Sequence, residues 1–567
     1  MMASATHAQL GRSCCPASAG HAALRAAARC FHGQLSPHAD ICEHNESVAR
    51  NSLAAGAECM ASTAIETRGF FVFSRTASDR DACTSGDTYR AAVAERDAAR
   101  VLFKVLSIAV GGRMPSAYWM NTSAALLPGE HVYEVTTLHL METSARRLQL
   151  AEEHGPLTWT ATFQSPLIHW LRERRCVSAL VPLDSRWRSV SIRAPLPTNE
   201  PICGAVPTSA TAAYYAVPNA SACPSWLCEG NATARLIAPY RPDKRRSRVG
   251  FAHLLKPSGC RFRWRDADEV ARCLAGRPLL NMGSSSATSL AKGFERISRA
   301  NASAIDPRKE GSWWFDFGRT KGRGCGLHSG WGCVNDSAVG LSHFAHEGRS
   351  ATVSTLFFHH PYRYGLLNVI NASEQRRVHG GASLLMPSAA AYEKLMCKHE
   401  LLVFESGAHD FGFTDRHADA TLRRVCSGKT PCCEADVLPV LLNQTWRLQP
   451  LVAYRARLLE LMAMWRRCQA KAPRFRPIFK LSFAPVLSLR CDQTWGYNTQ
   501  SWNVAVYNEV ARDVVESAGF EVFDPFPAGL HAESPNWYDD SQHSDTLSDL
   551  VTQMLISQIC VPPSGRG

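Results

Sequence analysis

Long apolar runs are missing from this chain of 567 residues: none approaches the ~20 consecutive apolar residues that a membrane-crossing helix needs. The nearest, Val101 to Val110, is short and interrupted by Lys104, so it reads as a strand. Residues 1–30 hold Ala, Arg and Ser without the continuous apolar stretch of a secretory leader, so a secretory route requires a leader upstream. The cysteines show no paired CxxC spacing of the zinc-site kind. Basic clusters are scarce as well. The net charge of +12 comes from arginines spread along the chain, and Lys244-Arg245-Arg246 is the one tight basic run. It reads as a solvated linker, which argues against a nucleic-acid partner. No motif calls for a metal or a nucleotide cofactor.

What is present is ordinary in bulk and unusual in detail. A chain of this length exceeds what one hydrophobic core organises, so two or three domains are expected. Hydrophobic content of 45% and charge of 20% suit a globular protein. Cysteine is abundant, at 21 residues. Asn-x-Ser/Thr sequons begin at Asn45, Asn121, Asn219, Asn231, Asn301, Asn335, Asn371 and Asn443, half of the chain's asparagines. Scattered cysteines and enriched glycosylation acceptors together point to an oxidising, glycosylating compartment, the secretory lumen (Golgi) or the cell exterior.

Along the chain the composition changes three times. Residues 1–98 have few large apolar residues in periodic positions and read as a disordered or low-complexity tail, with one helix near Tyr89 to Arg100. Residues 99–196 carry short alternating runs, Val101 to Val110, His131 to Leu138 and Leu157 to Phe163, which predict a β-sandwich of immunoglobulin-like or filamin-like type. Residues 197–255 are rich in Pro, Ala, Ser and Cys and read as a linker pinned by disulfides. From 256 to 562 the pattern is α/β. Asp266 or Asp268 caps a short helix ending at Gly276. Strands follow at Leu279 to Met282, Ala351 to Phe358, Leu401 to Glu405, Phe479 to Leu489 and Phe520 to Asp524, and helices at Leu451 to Gln469 and Asn503 to Ala518. Strand, helix and strand in this order predict a mainly parallel sheet flanked by helices. Residues 297–350 read as an insertion over the sheet edge, whose Trp313-Trp314-Phe315 either lines a sugar-sized groove or simply packs.

Two stretches carry chemistry. Gly283-Ser284-Ser285-Ser286 lies between the Leu279 to Met282 strand and a helical pattern with Leu290, Phe294 and Ile297 on one face. A serine on such a turn is lifted from the sheet edge, with its amide near the positive end of the next helix, as an acyl-transfer nucleophile needs. Ser285 is the candidate; the structural alternative is a capping turn. Far downstream, Asp540 and His543 stand three residues apart on the loop feeding a last helix through Leu547, Leu550, Val551, Met554 and Leu555. A carboxylate at that spacing can orient an imidazole whose other nitrogen faces a nucleophile.

Cys260-Arg261, Cys273-Leu274-Ala275-Gly276-Arg277, Gly283-Ser284-Ser285, Gly407-Ala408-His409-Asp410, Asp540-Ser541-Gln542-His543 and Cys560, in this order, resemble the PC-esterase domains of the SGNH/GDSL hydrolase superfamily. This group includes the neurexophilin-and-PC-esterase and trichome-birefringence-like proteins. The resemblance implies an SGNH-like fold over 256–562 and acyl chemistry on glycans, chiefly transfer or removal of O-acetyl groups, with acetyl-CoA or an acetylated glycan as donor and no resident cofactor. It implies Ser285 as nucleophile, His543 as general base and Asp540 as its orienter, with the amides of Ser285 and Gly407 and the imidazole of His409 around the oxyanion. Two positions depart from the family: Ser284 replaces an aspartate, and Thr288 an arginine. A noncatalytic carbohydrate-binding or adhesive glycoprotein that keeps the fold is the alternative.

Overall fold

The computed structural model describes, with short breaks, residues 14–35, 53–75, 87–95, 102–110, 117–123, 129–142, 188–194, 201–203, 212–217, 252–297, 333–357, 389–406, 449–483, 501–531 and 545–560. These residues form two sheets of opposite character. The first is antiparallel throughout. Its strands are β1 (Leu53–Ala55), β2 (Gly69–Phe73), β3 (Asp87–Glu95), β4 (Leu102–Ala109), β5 (Ala117–Asn121), β6 (Gly129–Glu142), β7 (Arg188–Ala194), β8 (Ala212–Val217) and β9 (Ala252–Pro257). They lie in the order β1-β2-β5-β4-β3-β6-β7, with β8 pairing β4 and β9.

Helix α1 (His21–Leu35) covers one part of this sheet. Leu24, Ala27, Ala28 and Phe31 recur at helical spacing and bury against Phe71, Phe73 and Trp119. Disulfides Cys14–Cys30 and Cys15–Cys59 tie the N-terminal segment to the same cluster. The region read from composition as a tail therefore supplies α1 and β1 to β3. The helix expected near Tyr89 to Arg100 is replaced by β3, because pairing with β4 and β6 on both sides outweighs the alanine-rich local preference. The expected strands at Val101 to Val110 and His131 to Leu138 are β4 and the middle of β6. Leu157 to Phe163 lies outside the described residues. In the segment read as a linker, β8 and most of β9 form strands, and Cys203–Cys260 bridges its two flanks.

The second sheet contains β10 (Leu279–Gly283), β11 (Cys333–Val334), β12 (Ser337–His346), β13 (Arg349–Phe357), β14 (Leu401–Glu405), β15 (Arg476–Lys480) and β16 (Glu521–Phe523). Its order is β11-β12-β13-β10-β14-β15-β16. The run β13-β10-β14-β15-β16 is parallel throughout, and β11 and β12 add an antiparallel hairpin at the edge, within the expected insertion. Numbered among themselves along the chain, the parallel strands stand in the doubly wound order 2-1-3-4-5.

The helices here are α2 (Ala267–Leu274), α3 (Ala389–Met396), α4 (Gln449–Lys471), α5 (Ser501–Ser517), α6 (Phe526–His531) and α7 (Asp545–Cys560). Asp266 caps α2 through a capping box with Glu269, and the chain turns at Gly276 with φ +71. On one face of the sheet Leu280, Met282, Leu402, Phe404 and Phe479 pack with Leu458, Leu461, Met462 and Trp465 of α4 and Val510, Ala511, Val514 and Val515 of α5. The Cys397–Cys468 disulfide joins the end of α3 to α4. The other face belongs to α7 and to a helical stretch described at Ala287, Leu290, Ala291, Gly293, Phe294 and Ile297, all of them buried. This is the predicted α/β architecture: a mainly parallel sheet with helices on both sides.

Candidate active site

In a doubly wound sheet the strand order reverses at one place, and the loops leaving the carboxyl ends there diverge and open a crevice. Here that place is between β10 and β14, which end at Gly283 and Glu405. The serine turn 284–286 follows the first directly, and Gly407 and His409 follow the second within four residues.

The third contributor is the C-terminal helix, and its direction is set by contacts at its far end. Arg476, the first residue of β15, donates to the carbonyls of Ile559 (2.9 Å) and Gln558 (3.1 Å), and Gln558 Nε2 donates to the Val522 carbonyl (3.2 Å). The last turn of α7 is thus anchored at the amino-terminal edge of the sheet. Sixteen helical residues extend about 24 Å, more than the length of β15, so the start of α7 lies toward the carboxyl edge. Lateral packing agrees. A Cβ on Gly293 would overlap Thr552 Oγ1 and lie 3.0 Å from the Ser548 carbonyl, so the 287–297 helix and α7 touch backbone to side chain. Gln553 pairs with the backbone of Arg265 just before α2 and Cys560 is bridged to Cys273 near the end of α2, so α7 runs in the same direction as the helix that leads into β10. The disulfide Cys273–Cys560 fixes the far end of α7 to α2.

Ser285, Gly407, His409, Asp540 and His543 themselves lie outside the described residues, as do Asn45, Asn219, Asn231, Asn301, Asn335, Asn371 and Asn443. Asn121 is described. It is half-buried at the end of β5, and its Oδ1 accepts from the amide and hydroxyl of Ser123, the third residue of its sequon.

Beneath the carboxyl edge is a set of buried polar groups that nothing in the sequence pattern singled out. Asn281 on β10 is fully buried; its Nδ2 donates to the Ala287 carbonyl (2.8 Å) and to Thr355 Oγ1 on β13 (3.3 Å). It thereby ties the strand before the serine turn to the residue just after it. Gly283, Glu405 and Lys480 form a row across β10, β14 and β15, Glu405 and Lys480 being register partners. A Cβ on Gly283 would lie 2.9 Å from Glu405 Oε2 and 3.2 Å from the Ala287 Cβ, so only glycine fits. Glu405 pairs with Lys480 at 3.5 Å, both side chains wholly excluded from solvent, and Lys480 Nζ stands 4.4 Å from the Phe483 ring centroid. Burial pulls the Lys480 ammonium down to about 8, the Glu405 charge acting against that shift.

The strand exits are held by hydrogen bonds. Tyr454 of α4 donates to the Ser406 carbonyl (3.2 Å), immediately before Gly407. Asn508 of α5 brackets Ser482, accepting from its amide (2.9 Å) and donating to its carbonyl (2.8 Å). Asp524, after β16, accepts from Arg512 and from the Phe526 amide, and burial raises its pKa despite that arginine. One signal for the central pair was readable: two apolar strand runs, Leu-Leu-Val-Phe-Glu and Arg-Pro-Ile-Phe-Lys, each end in a charge, and the charges are opposite. Among the described residues no cluster of His, Cys, Asp and Glu forms a metal-holding group.

Among the described residues no helix is long and apolar enough to cross a membrane, and five disulfides fit folding in an oxidising compartment. No family model, no curated protein and no solved structure matches this chain.

Proposed function

We propose that the protein is a glycan O-acyltransferase or esterase, acting on O-acetyl groups through a serine acyl-enzyme in the secretory lumen, the Golgi included, or outside the cell. The observation that carries the reading is that β10 and β14 end, and α7 begins, toward one edge of a doubly wound sheet, at its switch point. Three sequence stretches with the residue types of acyl transfer are attached to those ends. The SGNH identity of this sheet and the immunoglobulin-like or filamin-like identity of the antiparallel one belong to the same proposal.

In this reading Ser285 Oγ attacks the acyl carbonyl while His543 takes its proton, and Asp540 holds the imidazole tautomer and balances the imidazolium. The amides of Ser285 and Gly407 and the His409 imidazole donate to the oxyanion. As the intermediate collapses, His543 returns the proton to the departing alcohol, or to a thiol where acetyl-CoA is the donor. A sugar hydroxyl or water, deprotonated by His543, then attacks the acyl-enzyme and frees Ser285. A glycan is the expected partner, and the chemistry needs no metal.

Ser284 and Thr288, in place of the family's aspartate and arginine, favour the competing reading, a noncatalytic carbohydrate-binding or adhesive glycoprotein. Turnover of an activated acetyl ester by protein from a secretory host separates the two. Loss of turnover in Ser285→Ala is the expected result; equal turnover in the variant removes the enzyme reading.

A further inference from the structure

We propose that the buried Glu405–Lys480 pair is a positioning element for the turn that carries Ser285, holding both flanks of that turn and keeping the charge beneath it neutral. The inference rests on the assignment of Ser285 as nucleophile. Three observations converge on it. The Glu405 side chain occupies the space over Gly283 that any larger residue would need, and the Ala287 Cβ borders that same space, so both flanks of the 284–286 segment close on the place that Glu405 fills. Lys480 is its register partner on the neighbouring strand and meets it at 3.5 Å with no solvent contact. Asn281, on the same side of the sheet, donates to the Ala287 carbonyl and so ties β10 to the residue that follows the turn.

A buried ion pair contributes little to stability compared with apolar residues of the same volume, so its placement under this turn calls for another account. The chemistry supplies one. Negative charge develops on the acyl oxygen during attack, and a carboxylate fixed below the turn would oppose it; the ammonium of Lys480 cancels that carboxylate. Once Lys480 loses its proton, Glu405 loses this counter-charge and acyl transfer slows. Among the described residues the neighbouring elements bring these charged or titratable groups: none from β10, whose residue here is Gly283; the buried Asp549 from α7, which covers this face; the Tyr454 phenol from α4, which donates to Ser406; Asp524 after β16, held by Arg512 of α5. The Lys480 ammonium titrates near 8, within reach of an assay, because it is buried.

The test is the rate of labelling by a fluorophosphonate, located by peptide mass spectrometry, as a function of pH. In the wild type the rate at Ser285 rises through the imidazole range and then falls by about tenfold as pH passes through the Lys480 value. Glu405→Gln combined with Lys480→Met keeps shape and removes both charges; the falling limb disappears and a lower, flat plateau remains. A purely structural role for the pair would lower the melting temperature and the rate at every pH while leaving the limb in place, which overturns the proposal. Should the double variant fail to fold, Lys480→Arg must move the fall beyond pH 10, and a wild-type profile without a fall overturns the proposal by itself. No labelling of Ser285 in the wild type at any pH overturns the serine assignment instead, and so separates the two failures.

Discussion

The two sheets spend their interiors differently. The antiparallel sheet buries aromatic rings: Phe71 and Trp119 have centroids 4.7 Å apart, Phe31 and Phe71 5.7 Å, Tyr89 and Tyr118 5.2 Å. The parallel sheet does this most on the face where Phe404, Phe479 and Trp465 meet. Its other face buries Asn281, Glu405 and Lys480 near the carboxyl edge. Stability alone explains the first pattern. Buried polar groups cost free energy unless each is paired, and both regions bury some, Arg68 and Arg75 beside β2 among them, but the solvent-excluded pair Glu405 and Lys480 stands at the carboxyl ends of β14 and β15, next to the end of β10 from which the serine segment departs. A difference in what is buried therefore separates the scaffold from the place where chemistry is expected.

The sharpest way to break that distinction is to uncouple the buried charges. Lys480→Met leaves Glu405 buried without its counter-charge and should cost about 3–5 kcal/mol in urea unfolding, whereas the neutral double change with Glu405→Gln should recover most of the loss. Trp119→Ala in the antiparallel sheet should cost a similar ~3–5 kcal/mol as a cavity, with no second change able to restore it. If the double change on β14 and β15 is as damaging as the single one, the pair is packing and not charge balance.

The disulfides sharpen the comparison next. Cys273–Cys560 spans 287 residues and Cys15–Cys59 spans 44. If restriction of the unfolded chain dominates, replacing the first pair by serine costs about 1–2 kcal/mol more than replacing the second, within a total of about 2–5 kcal/mol each. Differential scanning calorimetry of the two variants, under conditions of reversible unfolding, measures it. Equal losses would show that the long bridge adds nothing by closing a longer loop.

Glycines offer a smaller contrast. Gly293 has no room for a Cβ against Thr552 and Ser548, so Gly293→Ala should cost about 1–3 kcal/mol by forcing α7 away from the 287–297 helix. Gly276 has open space around it but a φ of +71, and Gly276→Ala should cost about 1 kcal/mol for backbone strain alone. Only the first change should alter ester turnover, because only that glycine sets the spacing of the two helices that begin at the crevice.

How much of this was legible beforehand differs between the same two regions. The α/β elements follow from periodicity and caps: Asp266 with Glu269 at α2, Gly519 after α5, and the apolar runs of β10 and β14 all fall where local signals put them. Of the strand expected at Phe479 to Leu489, Phe479 and Lys480 lie in β15, which starts earlier, at Arg476, where pairing to β14 sets its register; residues 484–489 lie outside the described residues. In the antiparallel half, β3 reads locally as alanine-rich helix, and only its neighbours β4 and β6 make it a strand, which no window of sequence contains. The site divides in the same way. Ser285, Asp540 and His543 are proposed from their spacing, whereas Asn281, Tyr454 and Asn508 bond to partners 6, 48 and 26 residues away, a relation that exists only after folding.

The smallest expected effect concerns pH and again should be confined to one half. Glu509 on α5 has Oε2 buried without a hydrogen-bond partner among the described residues, and burial raises its carboxyl from 4.5 to about 7, with Arg512 pulling the other way. In the folded chain the proton stays on until near neutrality, while in the unfolded chain it leaves near 4.5. Between those values the unfolded state binds fewer protons, so the contribution of Glu509 is complete at low pH and is lost as pH rises through 7. With the side chain partly exposed, the loss is on the order of 1 kcal/mol. Glu509→Gln should flatten that part of the stability profile, leaving a residual slope of the same sign from Asp524. Amide exchange should report the wild-type loss in β15 and β16 and not in β2 and β5. A pH-dependent change of equal size in the aromatic sheet would mean that the two regions unfold as one cooperative unit, and the contrast between their interiors would then have no separate energetic consequence.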